Sequence, residues 1–260
     1  MNKTMSIREI EEKLREIDSL NHPFIRKCKT DERKGVADLL EKWRNRINKQ
    51  LALKEQFMQM SVYEQDLHSQ GFELVAGIDE VGRGPLAGPV VAASVILPED
   101  FYLPGLNDSK KIPEAKREIF YDIILKESTS IGIGIIHSEE IDRLNIYQAT
   151  KKAMLSAIRE LEATPDYLLI DAMSLEVPMP QLSIIKGDSK SISISAASII
   201  AKVTRDRMMK QYAEAFPQYG FENNMGYGTK EHLKALNLYG PTPWHRRSFA
   251  PVKDAGNKIE

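Results

Sequence analysis

Five short apolar runs punctuate the chain after Gly71, at residues 72–78, 90–97, 131–136, 167–170 and 182–185. The second is rich in β-branched residues. The third, Ile131-Gly132-Ile133-Gly134-Ile135-Ile136, alternates with period two. Runs of this length and pattern read as strands. Residues 114–126, 145–161 and 193–216 carry helical spacing between or after them. Strands grouped early, followed by strand–helix alternation, predict an α/β fold with a mixed central sheet flanked by helices.

The first 70 residues contain no strand-like run. Ile7, Ile10, Leu14, Ile17 and Leu20 recur at helical spacing, and Asn21-His22-Pro23 is expected to stop that helix. A second helix is expected from Thr30 as N-cap, with Val36, Leu39, Leu40, Trp43 and Ile47 on one face. The expected organisation is a helical extension at 1–70, a catalytic core at 71–220, and a C-terminal region at 221–260 with a short helix at 230–236. Lys42, Arg44, Arg46 and Lys49 make the extension either a substrate-gripping arm or a plain packing element.

Charge narrows the function. Lys plus Arg number 36 and Asp plus Glu 37, a net charge of −1, so nucleic acid binding requires a local basic patch. The single cysteine, Cys28, excludes an intramolecular disulfide and a cysteine-based zinc cage, and suits a cytoplasmic protein. The N-terminus has no apolar signal region. No apolar stretch approaches the roughly 20 residues that a membrane span needs. Neither a secretory signal nor a membrane partner is expected.

Two apolar runs end on acids. Residues 72–78 lead into Asp79-Glu80, and residues 167–170 into Asp171. Ligands of α/β sheets bind beyond the carboxyl ends of strands, so parallel neighbours would bring these carboxylates together. Packed like charges stay ionised only around a cation. Oxygen ligands without a Cys or His cluster favour Mg²⁺ or Mn²⁺. Asp188, after the fifth run, offers a fourth carboxylate. Such a set suits two-metal phosphodiester hydrolysis, in which one ion acidifies the attacking water and the other stabilises the leaving oxygen. Strand-end solvation and helix capping are the plainer alternatives.

Gly82-Arg83-Gly84 follows the acidic pair directly. A β-rich run comes next instead of a helix, which argues against a dinucleotide-binding turn. Glycines beside an arginine let backbone and guanidinium approach a sugar and its phosphate together. Ser109, Lys110 and Lys111 form a polar loop. Ser195, Ser198, Lys202 and Arg205 fall on one helix face, either a phosphate-binding stripe or a solvated surface. Tyr227 stands between glycines, and His245-Arg246-Arg247 is a short cationic cluster. No pair of histidines shows ligand spacing.

Together these residues resemble the ribonuclease HII family, the bacterial type 2 ribonucleases H. The resemblance rests on AGIDEVGRGPLAGPVVAA at 76–93, LNDSKK at 106–111, LLIDA at 168–172, KGDSKS at 186–191, SAASIIAKVTRD at 195–206, GYGTKEH at 226–232 and HRRSF at 245–249. It implies a ribonuclease H-like fold with a C-terminal helical region. Asp79, Glu80, Asp171 and Asp188 match the family's metal-binding acids. Gly82, Arg83 and Gly84 match its reader of the ribose 2′-hydroxyl, and Tyr227 matches the tyrosine stacked at the RNA–DNA junction. Ser109, Lys110 and Lys202 match positions implicated in phosphate contact.

The implied activity is metal-dependent hydrolysis of RNA in RNA–DNA hybrids. It includes cutting 5′ of single ribonucleotides in duplex DNA, and leaves 5′-phosphate and 3′-hydroxyl ends. The expected partners are those nucleic acids, and the expected state is a monomer. The sibling ribonuclease HIII family has a sheet-containing N-terminal domain, a glutamate as fourth acid and no Gly-Arg-Gly, so it fits less well. Another nuclease with the same acids, or a non-catalytic hybrid-binding protein, would lack the ribonucleotide requirement or the turnover.

Overall fold

The computed structural model describes residues 5–256, which form two compact units dividing between Met58 and Gln59. The first holds α1 (Ile7–Arg15), α2 (Pro23–Lys29) and most of α3 (Lys34–Met60). Ser6 and Glu9 form a reciprocal capping box that starts α1. Ile10, Leu14, Ile25, Cys28, Val36, Trp43 and Ile47 form its core. The Trp43 indole donates to the Ile17 carbonyl at 2.7 Å.

Three details depart from the sequence expectation. Pro23 opens α2 instead of ending the preceding helix, with the His22 ring accepting from Phe24 N–H. A proline has no N–H to lose at the first helical position, so a stop signal and a start signal look alike. Thr30 closes α2 and does not begin α3. Arg46 takes the packing alternative: its guanidinium donates to the carbonyls of Leu14, Arg15 and Ile17 where the chain leaves α1.

The second unit begins with α4 (Val62–Ser69). A five-stranded mixed sheet follows, comprising β1 (Val75–Val81), β2 (Val90–Ile96), β3 (Ser130–Ile136), β4 (Tyr167–Asp171) and β5 (Gln181–Ile184) in the order β3-β2-β1-β4-β5. β1, β2 and β3 pair antiparallel, while β4 runs parallel to both β1 and β5. The remaining helices are α5 (Glu114–Glu127), α6 (Ser138–Leu144), α7 (Ile146–Arg159), α8 (Ile192–Ala215), α9 (Phe221–Asn224), α10 (Lys230–Tyr239) and α11 (Ala250–Gly256).

α7 and α8 cover the two faces of the sheet. On one, Ala153, Met154 and Ala157 pack with Ile78, Ala92 and Ile136. On the other, β1 meets α8 at Gly77, where a β-carbon would lie 2.1 Å from the Ser193 backbone. The alternating glycines of β3 have the same origin: a β-carbon at Gly132 or Gly134 would lie 1.9 Å from an α7 carbonyl. Among the described residues, no helix is long and apolar enough to cross a membrane.

β1 extends further than the apolar run. Asp79 and Glu80 lie within the strand, opposite Ala93 and Ala92, not beyond its end. The continuing antiparallel partner β2 supplies the pairing that keeps them in register.

Candidate active site at the ends of β1 and β4

The parallel register of β1 and β4 aligns Ile78 with Ile170, so the next residues on the two strands are Asp79 and Asp171. Asp79 is 5% exposed, and its Oδ1 accepts from Glu80 N–H at 2.7 Å. Asp171 Oδ1 accepts from Gly187 N–H at 2.7 Å. That bond ties β4 to the 3-10 turn Gly187–Ser189, which carries Asp188. A left-handed Lys186, φ 58°, swings the chain into this turn, and Gly187 leaves room for Ile194 of α8.

The acids feel one another. Burial, then the charges of Glu80 and Asp171, push Asp79 well above the usual carboxylate range. Burial raises Glu80, which Arg83 opposes, and Asp171 raises it further. Burial also raises Asp188, with Asp108 and Asp171 adding and Lys110 and Lys111 opposing. Glu80 Oε2 is buried without a hydrogen-bond partner. Among the described residues, no three Asp, Glu, His or Cys side chains are drawn into a finished metal cage. The four carboxylates share one end of the sheet and one field without being closed around a point.

The glycine–arginine turn stands beside them. Gly82 has φ +93°, and Arg83 Nη1 lies 3.4 Å from Glu80 Oε1. Tyr227, 46% exposed, stands against Gly84, where a β-carbon would be 3.6 Å from its ring. Lys110 is exposed, and its charge acts on both Glu80 and Asp188. The structure thus groups Asp79, Glu80, Asp171, Asp188, Gly82, Arg83, Gly84, Lys110 and Tyr227.

Other expectations change. Ser109 is buried, and its hydroxyl shares a hydrogen bond with Ser198, which itself bears on Asp79. Lys202 is bound to Asp206 at 2.6 Å. The α8 stripe is no exposed phosphate track, because Ser195, Ser198 and Arg205 are buried. Arg205 directs its guanidinium to the carbonyls of Ala87, Pro89 and Met225. The cluster at 245–247 is likewise not a surface patch. His245 and Arg246 are buried, and Arg246 bonds to carbonyls of the glycine–arginine turn. Only burial distinguishes these cations from surface ones, and sequence spacing does not report it.

A family model described as Ribonuclease HII matches residues 76–252, and one described as Ribonuclease HII N-terminal domain matches residues 6–68. The chain belongs to the ribonuclease HII family. A ribonuclease HII of Bacillus cereus is 60% identical over 250 residues, covering 96% of this chain and 97% of its own. That of Bacillus subtilis (strain 168) is 56% identical, covering 96% and 98%. Among solved structures, ribonuclease H2 from Pyrococcus horikoshii OT3 superposes with a TM-score of 0.61 at 24% identity, over 71% of this chain and 98% of that one. Bst-RNase HIII in complex with Mn²⁺ gives 0.58 at 18%, over 72% and 70%. These structures share the ribonuclease H-like fold, as the mixed sheet and flanking helices predict. Membership of the ribonuclease HII family makes the chain an enzyme with ribonuclease H endonuclease activity.

Proposed function

We propose that this ribonuclease H hydrolyses the RNA strand of RNA–DNA hybrids and cuts 5′ of single ribonucleotides embedded in duplex DNA, leaving 5′-phosphate and 3′-hydroxyl ends. The observation that carries this reading is the strand register that sets Asp79 beside Asp171, with Glu80 paired to Arg83 of the glycine–arginine turn.

The residues fit divalent ions. The donors are all carboxylate oxygens, Glu80 Oε2 is buried without a partner, and burial beside Glu80 and Asp171 disfavours the ionised form of Asp79 until a counter-charge arrives. Asp79, Glu80, Asp171 and Asp188 would hold two Mg²⁺ or Mn²⁺ ions, the hard cations that oxygen ligands select. Bound there, such ions acidify a water and offset charge on the departing 3′ oxygen. The solved Mn²⁺ complex of Bst-RNase HIII, a protein of the same fold, agrees with this choice.

The protein's own groups supply substrate selection. Gly82, Arg83 and Gly84 read the 2′-hydroxyl, the group that distinguishes RNA from DNA. Tyr227 stacks on the neighbouring sugar. Lys110 draws the phosphate toward the acids, Ser109 anchors its loop to Ser198 of α8, and Lys202 pairs with Asp206 one turn along the same helix. Catalysis belongs to residues 71–220, and 221–260 contribute Tyr227 to substrate binding. The helical extension expected over 1–70 is shorter as a compact unit, ending at Met58, and α4 belongs with the catalytic unit. The enzyme acts as a monomer in the cytoplasm, where the buried free thiol of Cys28 stays reduced.

Thermal melting tests the metal reading without turnover. Ligands that bind only the folded state stabilise it by mass action. Mg²⁺ or Mn²⁺ is expected to raise the melting temperature of the wild-type protein and to leave that of Asp79→Asn nearly unmoved. Equal shifts in both would remove the acids from the metal site.

A further inference from the structure

Residues 244–246 touch both elements assigned to reading the ribose. Gly88 N–H donates to the Trp244 carbonyl at 2.9 Å, and Arg246 N–H to the Leu86 carbonyl at 2.8 Å. Ala87 and His245 form a β-bridge between these strands of chain. Leu86 N–H in turn donates to the Gly226 carbonyl at 2.8 Å, next to Tyr227.

Arg246 is fully buried, and its guanidinium works on backbone carbonyls. Nη1 donates to Arg83 at 2.9 Å, Nη2 to Gly82 at 2.5 Å, and Nε and Nη2 both to Gly88. A trans peptide carries its C=O and N–H on opposite sides. Turning the Gly82 and Arg83 carbonyls toward Arg246 therefore turns the N–H groups of Arg83 and Gly84 away from it. The orientation of the two amides is set by a residue more than 160 positions along the chain.

His245 reaches the other element. Thr242 N–H donates to His245 Nδ1 at 2.9 Å, so the imidazole proton sits on Nε2. That Nε2–H faces His232 Nε2 at 2.9 Å. The His232 proton is thereby placed on Nδ1, which donates to the Tyr227 carbonyl at 2.8 Å. Every donor in the chain has one acceptor, and the order runs one way. Burial keeps both rings neutral, lowering His232 and taking His245 down to about 3.

We propose that His245 and Arg246 are positioning residues for ribonucleotide recognition: Arg246 orients the amides of the 82–84 turn, and His245, through His232, fixes Tyr227. The proposal rests on the reading that this turn and Tyr227 recognise the ribose. Both residues are buried, so each acts through the reader it holds, and their adjacency in sequence ties the two readers to one segment of chain.

The test compares kcat/KM on a duplex with one embedded ribonucleotide and on a continuous RNA–DNA hybrid, with melting curves as a check on folding. His232→Ala removes the donor to Tyr227. It is expected to lower the embedded-to-hybrid ratio about tenfold, the scale of one hydrogen bond that aligns a recognition group. His232→Asn restores an N–H near the Nδ1 position and is expected to recover most of the ratio. His245→Leu leaves His232 in place, carries the same expectation and decides the matter should His232→Ala not fold. Arg246→Lys keeps the charge but cannot span three carbonyls. It is expected to narrow the affinity gap between ribonucleotide-containing and all-DNA duplexes. A ratio lowered by Tyr227→Ala but unmoved by the histidine variants would overturn the positioning role alone. A ratio unmoved by Tyr227→Ala would overturn the reading beneath it, and the inference with it.

Discussion

Asp79 is buried among like charges, and this sets its behaviour in the apo and working states alike. Removing its charge relieves repulsion with Glu80 and Asp171. Asp79→Asn is therefore expected to melt higher than the wild type in EDTA at neutral pH. The same variant is expected to lose at least about a thousandfold in kcat, the scale of a lost electrostatic group at a reacting centre. Paired melting and cleavage assays check both outcomes. His245 gives a separate pH signature. Its folded value, about 3, lies below its ordinary 6.5, so the unfolded chain binds the proton first. Stability from this group is present above about pH 6.5 and is lost as pH falls toward 3. Denaturant midpoints across that window are expected to fall less steeply for His245→Gln than for the wild type. At this scale the placing of Asp79 beside Asp171 was legible, because two apolar runs that end on carboxylates become neighbouring parallel strands. The sequence did not display the roles of His245 and Arg246, because a buried side chain and a surface one are spelled alike.

Element packing explains the glycine spacing in β3. At Gly134 a β-carbon would meet the Ala153 carbonyl of α7 at 1.9 Å, a contact that only backbone movement relieves. Gly134→Ala is therefore expected to cost about 3 kcal/mol, the upper part of the overpacking range, read as a lowered urea midpoint. A neutral result would mean that α7 does not lie where the core places it. Period-two alternation revealed β3 as a strand, but its glycines carried no sign of the helix that requires them. The ends of elements were the least legible part. The antiparallel partner β2 prolongs β1 past its apolar run to Val81, and Pro23 begins a helix although Asn21 and His22 before it read as a stop. α6 went unread, because its seven residues are too few to show a clear helical period.

Across the second unit, strand order produces the site. β1 is central and pairs antiparallel with β2 and parallel with β4, so Asp79 and Asp171 meet although 92 residues separate them. β5 and the turn after it return Asp188 to the same end. The C-terminal chain then comes back across the glycine–arginine turn, with Ala87 bridged to His245, and brings Tyr227 against Gly84. The motifs named these parts, but only the topology shows why segments so far apart act together.

Metal-dependent recognition of a ribonucleotide is tested most sharply by cleavage of a 5′-labelled DNA duplex holding one ribonucleotide, compared with an all-DNA control in Mg²⁺, Mn²⁺ and EDTA. One cut 5′ of the ribonucleotide is expected, dependent on metal and absent from the control. Cleavage in EDTA, or equal cutting of the all-DNA duplex, would overturn the assignment of the four acids or of the glycine–arginine turn.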